Sequence, residues 1–192
     1  MQQRNESLIR LRNLVISLAV FAALALYAST YSEPVLRVSV MPGESPPVLR
    51  RKLKPLTDYL EKKIGMKMEF RPMRDGDALV EALVGHQLDM VWIDGPNLAR
   101  AETRSNGRVM PLVQRAGDER TGHDDYTWTV RAGMDVKLRQ RLTDAFLALN
   151  RDKAQDKEIL DLQRARGFIP ARVENHSVIE AAASSAGLLQ EK

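Results

Sequence analysis

Two short stretches carry residue types that could hold an anion. Pro42-Gly43-Glu44-Ser45-Pro46-Pro47 places a glycine and a hydroxyl just ahead of an apolar pattern with helical spacing, and Asp94-Gly95-Pro96-Asn97 places an acid, a glycine and an amide in the same position. A helix start offers backbone N–H groups and the positive end of the helix dipole. Gly43, Ser45, Asp94, Gly95 and Asn97 are therefore the candidate ligand-binding residues, with a small oxyanion as the expected ligand. A plainer alternative stays open, in which Ser45 only caps a helix and Gly95-Pro96 only makes a turn.

Other chemistries find little support. His86, His123 and His176 share no metal-ligand spacing, and His123-Asp124-Asp125 reads most simply as a solvated loop. The chain has no cysteine, so disulfides, thiolate metal sites and cysteine nucleophiles are all excluded. No nucleophile elbow, phosphate-binding loop or dinucleotide fingerprint occurs, and isolated Ser, Asp and His residues make no catalytic set. The expectation is a protein that is not an enzyme and has neither cofactor nor metal. A net charge of +4 is spread among acids, and aromatics are only 5%, so no nucleic acid partner is expected.

The elements that position the two stretches follow from apolar spacing. Residues 35–41 form a β-branched apolar run that ends at Pro42-Gly43. Leu49, Leu53, Leu56, Leu60 and Ile64 then recur at three- and four-residue steps until Gly65, which predicts a helix. Residues 67–72 alternate as a second strand, completing a βαβ unit with parallel pairing. Asp75 or Asp77 caps the next helix, which ends at Gly85, and residues 88–93 form a third buried strand with Trp92 as core. A short helix around residues 98–104, closed by Asn106-Gly107, leads to a fourth strand at 110–115.

Residues 116–125 are a polar loop. Tyr126, Trp128 and Val130 then alternate with threonines in a fifth strand with one buried face. Asp135 caps a helix over 136–149, another spans 154–166, and residues 168–170 read as an extended link. Ser177 caps a final helix to about residue 189.

Ahead of all this, Arg4, Arg10 and Arg12 precede an apolar run over residues 14–28, and no charge follows until Glu33. Basic before apolar keeps the N-terminus in the cytoplasm and places the rest across the membrane. The run is long for a signal core and short for a span, so both a cleaved signal and a retained anchor stand. Tyr27 and Tyr31 suit an interfacial belt and favour the anchor. The expected division is residues 1–34 as flank and anchor or signal helix, and 35–192 as one domain. Its expected place is the inner membrane, single-pass with the C-terminal domain in the periplasm, or else soluble periplasmic after cleavage.

Several of these stretches resemble a known family. Leu36-Arg37-Val38-Ser39-Val40-Met41-Pro42, Lys54-Pro55-Leu56, Tyr59-Leu60-Glu61, Ala78-Leu79-Val80-Glu81-Ala82-Leu83 and Leu88-Asp89-Met90-Val91-Trp92 resemble the first lobe of periplasmic substrate-binding proteins of phosphate, phosphite and phosphonate ABC transporters. Trp128-Thr129-Val130-Arg131, residues 135–149 and Gly167-Phe168-Ile169-Pro170 resemble that family's C-terminal segment, which returns to the same lobe.

The resemblance implies an α/β fold, namely a single lobe of the type 2 periplasmic-binding-protein fold, with a mixed, mostly parallel sheet of about five strands. It also implies solute binding and an ABC transporter permease as partner. The family has two lobes, and here one polar loop joins strand 110–115 to strand 126–131, so the second lobe is expected to be absent. The serine and tyrosine that usually follow the family's Gly-Pro are replaced by Asn97, Leu98 and Ala99. With the second lobe gone, Tyr126 and Trp128 are the candidate partner surface, unless the chain folds back over them. The competing expectation is a ligand-less accessory or assembly subunit that docks on another membrane protein complex.

Overall fold

Strand β1 (Val35–Val40) buries Leu36, Val38 and Val40 on one face, as its alternation requires. The computed structural model describes residues 16–17, 34–116 and 126–171. The apolar run 14–28, the loop residues 117–125 with His123, and the helix expected from Ser177 lie outside the described residues in all but two positions. Among the described residues no helix is long and apolar enough to cross a membrane. The chain divides into the units Met1–Pro34 and Val35–Lys192, and β1 opens the second of them.

Helix α1 (Pro46–Ile64) returns the chain from β1 to β2 (Lys67–Phe70), and Gly65 ends it in the left-handed region at φ 67°, with its N–H on the Glu61 carbonyl. Asp75 then caps α2 (Gly76–Val84) through the Ala78 N–H, and β3 (Met90–Ile93) follows. Asp94 caps α3 (Gly95–Ser105), which Asn106 closes at φ 52°. Strands β4 (Val109–Arg115) and β5 (Thr127–Arg131) precede α4 (Val136–Leu147), α5 (Ala154–Leu162) and β6 (Phe168–Pro170).

The sheet order is β2-β1-β3-β5-β4-β6. β1 pairs parallel with β2 and β3, as the βαβ reading requires, but β5 inserts antiparallel between β3 and β4, and β6 lies antiparallel on β4. The expected mostly parallel sheet of about five strands is thus corrected, among the described residues, to six strands with mostly antiparallel pairing. The cause is topological. β3 and β4 run the same way, and the return strand separates them, turning one parallel contact into two antiparallel ones. Residues 168–170, expected as a link, supply the sixth strand.

Two apolar clusters sandwich the sheet. Leu53, Leu56 and Leu60 of α1, Leu142 and Phe146 of α4, and Ile159 and Leu160 of α5 pack on Val38, Met90, Trp128 and Val130. On the other face, Leu79, Val80 and Leu83 of α2 and Leu98 of α3 meet Val91 and Ile93. The threonine face of β5, expected to be solvated, is buried here, and Thr127 and Thr129 satisfy each other through a 2.8 Å hydroxyl contact.

Candidate functional site

The C-terminal ends of β1, β3 and β4 and the start of β5 meet along one edge of the sheet, where open α/β folds place their ligands. The Met41 N–H donates to the Trp92 carbonyl at 3.0 Å, and the Arg115 N–H reaches the Tyr126 carbonyl at 3.4 Å, fixing these four strand ends together. Above them lies a cavity of about 390 Å³. Its apolar wall includes Leu49, Trp92, Tyr126 and Leu162, and its charged groups are Glu44, Lys52, Arg115 and Arg164. That volume falls in the range of small-molecule sites, roughly 300–1,000 Å³.

The aromatic wall continues into the core. Trp92 stacks on Tyr126 at 5.5 Å between ring centroids and meets Trp128 at 5.3 Å, and Trp128 stacks on Phe146 at 5.5 Å. The Arg115 guanidinium lies 5.9 Å from the Trp92 ring and 5.5 Å from the Tyr126 ring, within cation–π range. Its Nη1 also donates to the Gln163 carbonyl at 3.2 Å, tying the end of β4 to the end of α5. At the other wall Lys52 Nζ holds Glu44 at 2.6 Å. Burial raises the pKa of the Tyr126 hydroxyl, and the nearby Asp94 charge adds to this while Arg115 opposes it. Among the described residues that line the cavity, the charged side chains are three basic ones and one acid.

The two helix starts behave differently from expectation. Pro46 and Pro47 occupy the first two positions of α1 and have no N–H, while the Val48 and Leu49 N–H groups both go to the Ser45 carbonyl at 3.0 Å. The dipole of α1 therefore reaches the cavity with few of the amide donors that usually accompany it. At α3, Asp94 Oδ1 accepts from the Asn97 backbone N–H at 3.0 Å and from Asn97 Nδ2 at 2.7 Å. Arg100 then bridges Asn97 Oδ1 at 2.8 Å and Asp77 Oδ1 at 2.5 Å. A carboxylate already occupies the position an anion would take, and the rest of the set braces α3 against α2.

Of the candidate ligand residues, Gly43 lines the cavity and Ser45 is exposed beside it with no side-chain cap bond, whereas Asp94, Gly95 and Asn97 are outside its lining. Tyr126 is in the cavity wall. Trp128, expected on an exposed partner surface, is 1% exposed, because β5 has a strand on either side and α4 over it. That expectation is corrected. Trp92, read as core, is only half-buried and forms the cavity wall. Lys52, Glu44, Arg115 and Arg164 were missed. Arg115 had a signal, since it ends a strand that points at the same edge as Trp92. The loop position of Arg164 had none. Among the described residues no three His, Asp or Glu side chains gather as metal ligands, and His86 is exposed.

Comparison with known proteins agrees with this architecture. Residues 38–126 match the family model for the periplasmic substrate-binding protein of phosphonate ABC transporters, and the resemblance read from the sequence holds there. Similar solved structures include PhnD1 of Prochlorococcus marinus in complex with methylphosphonate, with a TM-score of 0.72 and 14% identity, covering 81% of this chain and 99% of that one. A binding protein component of a phosphonate ABC transporter from Pseudomonas aeruginosa gives a TM-score of 0.64 at 9% identity, over 83% of this chain and 90% of its own. The alkanesulfonate-binding protein SsuA of Xanthomonas axonopodis, bound to MOPS, gives 0.52 at 12% identity, over 84% and 96%. At these identities the structural likeness is one of fold. No curated protein matches the sequence.

Proposed function

Taking the family match over residues 38–126 as premise, we propose that residues 35–192 are a non-enzymatic solute-binding lobe that takes a small oxyanion at the sheet-edge cavity. The observation that carries this reading is the cavity itself, at the carboxyl ends of three strands, whose described lining sets Lys52, Arg115 and Arg164 beside the Trp92 and Tyr126 rings. The phosphonate and sulfonate ligands of the similar structures agree with it in chemical class.

We place the lobe in the periplasm, tethered by residues 14–28 behind Arg4, Arg10 and Arg12, with a transporter permease as the partner to which it presents the solute. Titration calorimetry of the full chain in mild detergent tests the reading with methylphosphonate and with inorganic phosphate. Saturable binding in the micromolar range is expected. A flat titration together with an unchanged melting temperature refutes it.

One observation favours a second reading, an accessory subunit docked on a membrane complex without a ligand. Pro46, Pro47 and the Asp94 cap remove most of the amide donors at the helix starts. Purification from native membranes would then bring down a stoichiometric protein partner and show no oxyanion binding. A monodisperse monomer that binds methylphosphonate ends that reading.

A further inference from the structure

Arg164 has the wrong backbone for an arginine. It follows α5 in the left-handed region at φ 51°, the position where helices usually place glycine because a side chain is strained there. Three described non-glycine residues have positive φ: His86, Asn106 and Arg164. Asn106 is a residue type that tolerates the conformation and His86 is exposed beyond a helix end, so Arg164 alone of the three lines the cavity.

Its neighbours hold this backbone in place. The Arg164 N–H donates to the Asp161 carbonyl at 3.0 Å and the Ala165 N–H to the Leu160 carbonyl at 2.9 Å. From outside the turn, Arg115 Nη1 binds the Gln163 carbonyl at 3.2 Å and Arg151 Nη1 the Ala165 carbonyl at 2.8 Å. Two arginines from other parts of the chain thus fix the residues on either side of Arg164.

The side chain itself is exposed and makes no hydrogen bond or ion pair among the described residues, unlike Lys52, which holds Glu44. A strained residue whose charge meets no partner among the described residues points to a ligand contact as the reason for its strain. Beside it the cavity presents Trp92, Tyr126, Leu49 and Leu162, a wall that water and a bare inorganic anion satisfy poorly.

Resting on the solute-binding reading, we propose that Arg164 is the charge anchor for an organic oxyanion whose apolar substituent lies on Trp92 and Tyr126. An anion with an apolar body gains from both features of the cavity, whereas inorganic phosphate gains from one and gives up its hydration for it.

Calorimetry and thermal melting of the full chain in mild detergent test this with phenylphosphonate, methylphosphonate and inorganic phosphate, on the wild type, Arg164→Gly and Arg164→Lys. The wild type should bind phenylphosphonate roughly tenfold or more tighter than phosphate. Arg164→Gly should weaken phenylphosphonate by roughly tenfold or more while its melting temperature stays level or rises, and Arg164→Lys should restore part of the affinity. A purely structural Arg164 would lose stability and keep affinity. Wild-type affinity in Arg164→Gly, a lowered melting point in that variant, or phosphate binding as tightly as phenylphosphonate overturns the inference while leaving solute binding intact. If the wild type binds none of the three, the solute-binding reading fails and takes this inference with it.

Discussion

Asp89 is the charge that ties together the far end of the sheet, and replacing it with asparagine should be strongly destabilising. Its Oδ2 accepts from the Arg37 N–H at 2.9 Å and from Arg37 Nε at 2.8 Å, and its Oδ1 accepts from Arg37 Nη2 at 2.9 Å and Arg131 Nε at 2.8 Å. One carboxylate thus joins β1, the residue before β3, and the end of β5. Burial pushes its pKa up, but the hydrogen bonds from the Arg37 side chain and backbone and from Arg131 outweigh this and hold it at about 2, against an ordinary 3.8.

The magnitude follows in two ways. The depressed pKa implies about 2.5 kcal/mol of stability from the ionised form at neutral pH, at roughly 1.4 kcal/mol per unit. Asparagine also turns an amide N–H₂ toward arginine donors, leaving two guanidinium groups, each about 30% exposed, without their counter-charge. Breaking a fully buried pair costs roughly 3–5 kcal/mol, and this partial exposure sets the expectation near the lower bound, about 3 kcal/mol. For a chain of this size that is a fall in melting temperature of roughly 6–12 °C.

The sign with pH is fixed by the direction of the shift. Because the folded pKa lies below the unfolded one, the stabilisation is complete above the unfolded value and fades as pH falls towards the folded one. Urea unfolding of wild type and Asp89→Asn at pH 7, 5 and 3 should show a constant gap between 7 and 5 and one narrowed by about 1 kcal/mol at pH 3. A gap that is the same at all three values, or one below about 1 kcal/mol at pH 7, refutes the electrostatic account. Phenylphosphonate affinity should be unchanged at pH 7, since the cavity lies at the opposite end of these strands.

Two further substitutions probe the packing that carries the cavity. Gly76→Ala should destabilise by about 1 kcal/mol, although glycine-to-alanine in a helix usually helps, because a Cβ there would sit 2.9 Å from Asn97 Oδ1 and 3.1 Å from Met41 Cε; a raised urea midpoint would show that Asn97 moves aside freely. Tyr59→Phe should cost about 1 kcal/mol in the same assay, because the Tyr59 hydroxyl donates to the buried Ala145 carbonyl at 2.8 Å and, with Arg141 Nη1 on the Ile64 carbonyl at 2.8 Å, ties α1 to α4; no change in midpoint would mean that the hydroxyl bond adds nothing to that contact.

What the sequence made legible was local. Leu53, Leu56, Leu60 and Ile64 mark the buried face of α1 by spacing alone, Gly65 its end, Asp135 the cap of α4 and Asp75, one of two candidates, that of α2, whereas Asp94, read as a ligand residue, proves to cap α3. The misreadings needed information from distant parts of the chain. Nothing within Thr127-Trp128-Thr129-Val130 shows that β5 sits between β3 and β4, and only that placement buries both its threonines and Trp128. Phe168-Ile169-Pro170 is too short to declare itself a strand until β4 offers it an edge. The candidate site was legible in its location and not in its residues: Gly43 and Tyr126 line the cavity, while Lys52, Arg115 and Arg164 come together only once α1, β4 and α5 are folded.

The helix starts leave side chains as the main donors that the proposed site could offer an anion. An anion held by backbone amides needs several unfilled N–H groups aimed at one point, and those groups suit a compact, multiply charged tetrahedral head. Here prolines fill the first two positions of α1, and Asp94 fills the start of α3 with a carboxylate of its own. Under the solute-binding proposal, such helix starts would repel rather than recruit a compact dianion at α3 and would leave its recognition to Lys52, Arg115 and Arg164 around the Trp92–Tyr126 wall. Guanidinium groups beside aromatic rings favour weakly hydrated organic anions over strongly hydrated inorganic ones. Converting Pro47 to alanine should therefore restore one donor and raise phosphate affinity relative to phenylphosphonate, without strengthening the latter. If both affinities move together, or neither moves, the helix start is not what sets the ligand class.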